Sequence, residues 1–154
     1  MADVYGASVL FHATFWISNH GEEKDRWPGV KWTARWPFLV AQGFTDSSIN
    51  SSLFWQYDMA DISNAEVVMV FAQPKDHLRG ALVEAGIALG QNKPVLLVGS
   101  NPGFGSWQHH PMVFKADSLD AAAEWLRLWD ARKPQEYPLT PEEEVMKAVG
   151  RRAK

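Results

Sequence analysis

The 154-residue chain contains no cysteine. That excludes disulfide scaffolds, thiolate metal sites and a cysteine nucleophile, and it makes the reducing cytoplasm the expected compartment. An excess of positive charge is missing too: 15 Lys and Arg against 18 Asp and Glu leave a formal net charge of −3. With a pI near 5.9, the chain has no general attraction to a nucleic-acid polymer or an anionic membrane surface, and neither is an expected partner. Long hydrophobic runs are absent as well. The apolar start, MADVYGASVLFHATFWISNH, lacks the basic flank and cleavage site of a signal peptide, and His12, Ser18, Asn19 and His20 make it too polar to span a bilayer. We read it as a buried strand and the loop that follows. There is no internal repeat and no low-complexity segment.

What is present suits one soluble α/β domain. At 46% hydrophobic and 21% charged residues, the composition is that of an ordinary globular protein long enough to bury a core. Short apolar runs at Ser8–Ala13, Val30–Trp36, Ala65–Ala72 and Lys93–Gly99, with a fifth at Pro111–Ala116, read as strands. VVMVF and VLLV are continuous rather than alternating, the pattern of strands covered on both faces of a parallel sheet. Helical patterns lie between them: SSLFWQYDMADISNA before the third strand, GALVEAGIALG before the fourth, and SLDAAAEWLRLWDA after the fifth. The last has Ser118 as a cap and an apolar stripe of Leu119, Ala122, Ala123, Leu126 and Trp129. Alternating strands and helices predict a three-layer flavodoxin/Rossmann-like sandwich with a mostly parallel five-stranded sheet. FLVAQGFTDSSINSS reads mostly as loop, and Gly21–Gly29 is short for a crossover helix. Residues 1–132 form the domain. Residues 133–154 are a linker, KPQEYP, and a C-terminal helix with Thr140 as N-cap, Pro141 in the first turn and Glu143 placed for a capping box.

In such a sheet, ligands bind beyond the carboxyl ends of the strands. The first of these loops offers His12, Thr14 and Asn19, the second Arg35 and Trp36, the third QPKDHLRG and the fourth SNPGFGSWQHH. The third leads into GALVEAGIALG, where Glu84 is the one charged residue; its helical neighbours Gly80, Ala81, Ile87 and Ala88 cannot pair with it. An ionised carboxylate in an apolar patch is costly unless something satisfies it. A ligand is one partner: Gly80 and Ala81 leave N–H groups open at the helix start, with Lys75 and Arg79 nearby, so a hydroxymethyl or phosphate could rest there and Glu84 would face a sugar ring. A core ion pair with Arg35 is the other. Asp58 and Asp61 fit either a site or the polar face of a helix, and Trp36 and Trp107 either cover the core edge or stack on a base. His109 and His110 have no third ligand at a metal-binding spacing, so no metal site is expected. GFG at Gly103–Gly105 lacks the lysine of a phosphate loop.

The block from Asp58 to Gly99 resembles the nucleoside 2-deoxyribosyltransferase family and the related deoxynucleoside-monophosphate N-glycosidases. The resemblance lies in Asp58, the Val67–Phe71 strand, Gly80, Glu84, Gly86, Ala88 and NKPV, with TARW at Thr33–Trp36 similar to the family's TSRW and WQHHPMV similar to its FHHLPGV. It implies a flavodoxin-like sheet, a homodimer or higher homo-oligomer with sites completed by a neighbouring subunit, no cofactor, and a retaining double displacement on a (deoxy)ribonucleoside or its 5′-monophosphate. Glu84 would be the nucleophile and Asp58 the aspartate near sugar and base. His12, Thr14, Arg35, Trp36, Arg79, Gly80, Asn101 and His110 are the candidate substrate-binding residues. The chain departs from the family in carrying Leu78 and Arg79 where many transferases have aspartate and the monophosphate hydrolases serine; Arg79 and Lys75 would then select a phosphate. A non-catalytic module that binds a nucleoside derivative is the alternative function.

Overall fold

Strand order and crossovers decide where a site can form in this protein. A computed structural model describes residues 1–44, 48–131 and 141–152. Five strands, β1 (Ala2–Ala7), β2 (Val30–Trp32), β3 (Val67–Ala72), β4 (Val95–Gly99) and β5 (Val113–Ala116), form one sheet in the order β2-β1-β3-β4-β5. Every neighbouring pair is parallel. The helices are α1 (Ala13–His20), α2 (Trp36–Ala41), α3 (Ser48–Ser63), α4 (Gly80–Gly90), α5 (Leu119–Ala131) and α6 (Pro141–Arg152). Successive strand residues point to opposite faces. On β1, Tyr5 reaches α4 while Gly6 lies under the Trp16 ring of α1, so helices cover both sides and the fold is a three-layer α/β sandwich. Residues 67–70 and 95–98 are fully buried at the middle of the sheet, which explains the unbroken apolar runs in β3 and β4.

The first strand is displaced from its expected position. Pairing with both β2 and β3 requires residues that can be buried on both faces; Val4, Tyr5 and Ala7 are, whereas Leu10 and Phe11 are 42% and 89% exposed. Residues 8–12 are therefore connection, with a 3₁₀ turn at Leu10–His12, and the segment expected as loop becomes α1, starting at Ala13. Pairing in the second run ends at Trp32. Beyond it the Arg35 N–H is taken by the Asp61 carboxylate at 2.9 Å, and Pro37 suits the first turn of α2. The stretch read mostly as loop holds the last four residues of α2 and the start of α3, with residues 45–47 outside the described region.

Ser118 caps α5 as expected, its hydroxyl accepting from the Ala121 N–H at 3.0 Å. The predicted C-terminal helix is present as α6, although Thr140 lies outside the described residues. The lysine of NKPV is structural. Lys93 Nζ donates to the Ile62 and Ser63 carbonyls at 2.6 and 2.9 Å, closing the end of α3. Gly99 ends β4 at φ +96°, and a Cβ there would lie 2.1 Å from the Ala72 carbonyl oxygen of β3. Only glycine permits that approach. Among the described residues no helix is long and apolar enough to cross a membrane.

Candidate functional site

At the carboxyl end of the sheet, a cavity of about 320 Å³ opens between the β1 connection, α3 and the start of α4. Two carboxyls from different helices, Glu84 and Asp58, line its floor, and the fully buried Tyr5 lies behind them. Glu84 lies one turn into α4, where the small neighbours Gly80, Ala81 and Ala88 let the helix pack close to the sheet; Tyr5 rises from β1; Asp58 comes from the middle of α3. The Tyr5 hydroxyl donates to Glu84 Oε2. Glu84 and Asp58 are only 5% and 7% exposed, yet both line the cavity.

These groups are electrostatically coupled. Burial drives the Glu84 carboxyl well above the carboxylate range, the charge of Asp58 adds to the effect, and the Tyr5 hydrogen bond opposes it. Asp58 is pushed up to about 7, first by burial, with the Asp61 charge adding and a hydrogen bond from Tyr5 opposing. Tyr5 is itself held well above its ordinary value by burial and then by the two carboxylates. Asp58 Oδ1 is buried and has no hydrogen-bond partner among the described residues. A buried acceptor left open at a cavity wall is a place where a donor on a ligand would gain most.

The core ion pair between Glu84 and Arg35 does not form. Arg35 is held by Asp61, with Nη2 to Oδ1 at 2.8 Å and Nε to Oδ1 at 2.9 Å, and its guanidinium sits 4.2 Å over the Tyr57 ring. Among the described residues no cation forms a salt bridge to Glu84. Neither aspartate lies on a solvated helix face: Asp61 is 4% exposed and anchors the turn after β2.

The structure brings Glu84, Asp58, Trp36, Arg79 and Gly80 to the same cavity. Trp36 is buried and donates its indole N–H to the Gly6 carbonyl at 2.8 Å, so it forms a fixed wall. The other candidates lie elsewhere. His12 is buried against the Phe71 ring and bonds Asp76 Oδ2 through Nε2 at 2.8 Å. Asn101 donates to the Gln73 and Asp76 carbonyls at 2.8 Å each. Both therefore hold the loop between β3 and α4 in place. Thr14 is exposed on α1, Arg35 serves Asp61, and His110 accepts the Met112 N–H at 2.9 Å on an exposed turn before β5. Trp107 donates to the Gly103 carbonyl at 3.2 Å and packs on Phe104, within the loop after β4.

Sequence reasoning missed Tyr5 because it placed the first strand one segment too late. The signal was present in ADVYGA, a run of small and β-branched residues around one tyrosine. Trp55, Phe54 and Ser51 of α3 also line the cavity; they share its face with Asp58 at helical spacing, a relation that could have been extended from Asp58. Among the described residues no cluster of three or more His, Asp or Glu could hold a metal ion. No protein-family model matches this chain, and no curated protein sequence does.

Proposed function

We propose that this chain cleaves or exchanges the N-glycosidic bond of a (deoxy)ribonucleoside or its 5′-monophosphate through a glycosyl-Glu84 intermediate. One observation carries the reading: a buried carboxyl with no cationic partner among the described residues opens on a cavity, held by a neutral tyrosine, beside a second carboxyl pushed up to about 7. A carboxylate stabilised by a cation is a poor nucleophile. Glu84 attacks from the form of the pair in which it carries the single charge and Asp58 the proton; burial opposes that ionisation and the Tyr5 hydrogen bond favours it.

The chemistry follows the floor of the cavity. A Glu84 oxygen bonds to the anomeric carbon while the carbon–nitrogen bond breaks, and the electron pair leaves with the base. Asp58, protonated over part of the neutral range, supplies a proton to the departing base. Water or a second base then attacks the anomeric carbon from the vacated face and gives up its proton to Asp58. Glu84 is released, and the two displacements leave the configuration retained. Two nearby carboxyls that share one charge can alternate in this way, because ionising either raises the cost of ionising the other.

The apolar walls, Val9, Leu10, Phe54 and Trp55, suit a flat base, and Gly80 with Arg79 suits the 5′ substituent. Phe11, 89% exposed beside Leu10 at the cavity mouth, favours closure by a second copy of the chain in a homo-oligomer. The direct test incubates the protein with the common nucleosides and 5′-monophosphates, with and without an added free base, and separates the products by chromatography. Free base without an acceptor identifies a hydrolase, and release only with an acceptor a transferase. Binding without turnover of any substrate would replace this reading with that of a nucleotide-binding module.

A further inference from the structure

The carboxylate cavity does not end at the start of α4. A second, shallower groove of about 580 Å³ runs between the β3–α4 loop and the loop after β4. His77 and Arg79 line both hollows. The inner cavity alone is at the small end of the ~300–1,000 Å³ usual for a ligand pocket, so a larger ligand has a natural exit along this line. Beyond the shared pair, the groove is walled by Lys75 and floored by Asn101, with Pro74, Pro102 and Gly103 at its sides.

The groove is built rather than incidental. Asn101, 8% exposed, donates Nδ2 to two carbonyls of the β3–α4 loop and accepts the Gly103 N–H on Oδ1 at 2.7 Å, tying both walls together. Asp76 is the one acidic residue lining it. Its Oδ2 is engaged by His12 Nε2 and by the Gln73 N–H, each at 2.8 Å, so its charge is turned into the loop. Lys75, His77 and Arg79 remain exposed along the groove. Alternate residues of one loop thus present cationic or donor groups, starting beside Glu84 and leading away from it.

Resting on the glycosidic reading of the inner cavity, we propose that the two hollows are one site and that its substrate is a nucleoside carrying a 5′-diphosphate unit. The sugar sits over Glu84, the first phosphate between His77 and Arg79, and the second phosphate in the outer groove against Lys75. A lone monophosphate would fill the junction and leave the groove empty. Asn101 is a positioning residue, since it fixes the loop that carries the three groups.

The test uses the full chain with Glu84→Gln, which keeps the shape of the site and prevents turnover. Equilibrium binding is measured for deoxyadenosine, deoxyguanosine, deoxycytidine and thymidine, for the 5′-mono-, di- and triphosphate of each, and for NAD as an ester-linked diphosphate. The expected result, for at least one base, is an affinity gain from mono- to diphosphate of about tenfold, the scale of one charge-assisted hydrogen bond. Adding Lys75→Ala removes that gain, and Lys31→Ala, a lysine of β2 outside both hollows, preserves it. The NAD arm tells a terminal from an esterified diphosphate. A monophosphate that binds as tightly as the diphosphate overturns the proposal, as does a diphosphate gain that survives Lys75→Ala. If the affinities follow the expected order but the unaltered protein releases no base from any compound, the extended site stands and the glycosidic reading falls.

Discussion

Replacing Asp58 by Asn should make this protein more stable at alkaline pH, and the size of the effect follows from the site. Asp58 is 7% exposed and its carboxyl titrates at about 7, against an ordinary value of 3.8. A group whose pKa is raised on folding holds its proton more tightly in the folded chain. Its favourable contribution is complete below the unfolded value and is lost as pH rises through the folded one. The window is therefore pH 3.8 to about 7. A shift of about three units at ~1.36 kcal/mol each makes the loss at most ~4 kcal/mol, which is large against a domain stability of ~5–15 kcal/mol. Asparagine has the same shape and no charge, so its stability relative to the parent should climb across that window and level off above it. Urea denaturation of both proteins at half-unit steps from pH 4 to 8.5 measures the difference, because titrating groups that do not interact with Asp58 cancel in the comparison; loss of the Asp58 charge also eases ionisation of Glu84, which adds to the same trend. A difference between the two that stays constant within about 1 kcal/mol across the window would refute the claim that burial drives Asp58 up.

Other consequences are testable alongside it. Tyr5→Phe removes the donor that favours ionised Glu84, so kcat/KM for base release should fall about 10–100-fold with the fold retained, as read by steady-state kinetics and circular dichroism. With Asp58 as the proton donor, kcat should decline as pH rises through about 7, and in Asp58→Asn the remaining activity should lose that limb. Gly99→Ala forces a side chain into φ +96° against the Ala72 carbonyl; thermal and urea unfolding should report a loss of about 2 kcal/mol or more.

The parallel sheet was legible where burial on both faces removes alternation, in VVMVF and VLLV, and α4 was legible to its ends at Gly80 and Gly90. Glu84 stood out by the same reasoning, since a charge inside an otherwise apolar helix has few bland explanations. The first strand was harder. ADVYGA and SVLFHA are comparable apolar runs, and the choice between them depends on which one is flanked by two neighbours, a fact of topology rather than of local pattern. That displacement hid Tyr5. The roles of His12 and Asn101 were illegible for a related reason: a polar residue in a loop beyond a strand looks the same whether it faces a ligand or holds another loop. Only the distances to Asp76 and Gln73 tell them apart. Arg35 stayed open as a rival partner for Glu84 because sequence alone does not say which carboxylate meets the guanidinium; the fold gives it to Asp61 of α3.

The bond proposed between Glu84 and the sugar can be weighed. The protein is mixed with the substrate that releases base, quenched in acid within the first turnovers, digested and examined by peptide mass spectrometry. The prediction is a mass increase equal to one sugar residue, with its 5′ substituent, on the peptide containing Glu84, absent from Glu84→Gln, which also releases no base. Base release by Glu84→Gln at the parent's rate, or a sugar adduct on any other residue, would contradict it.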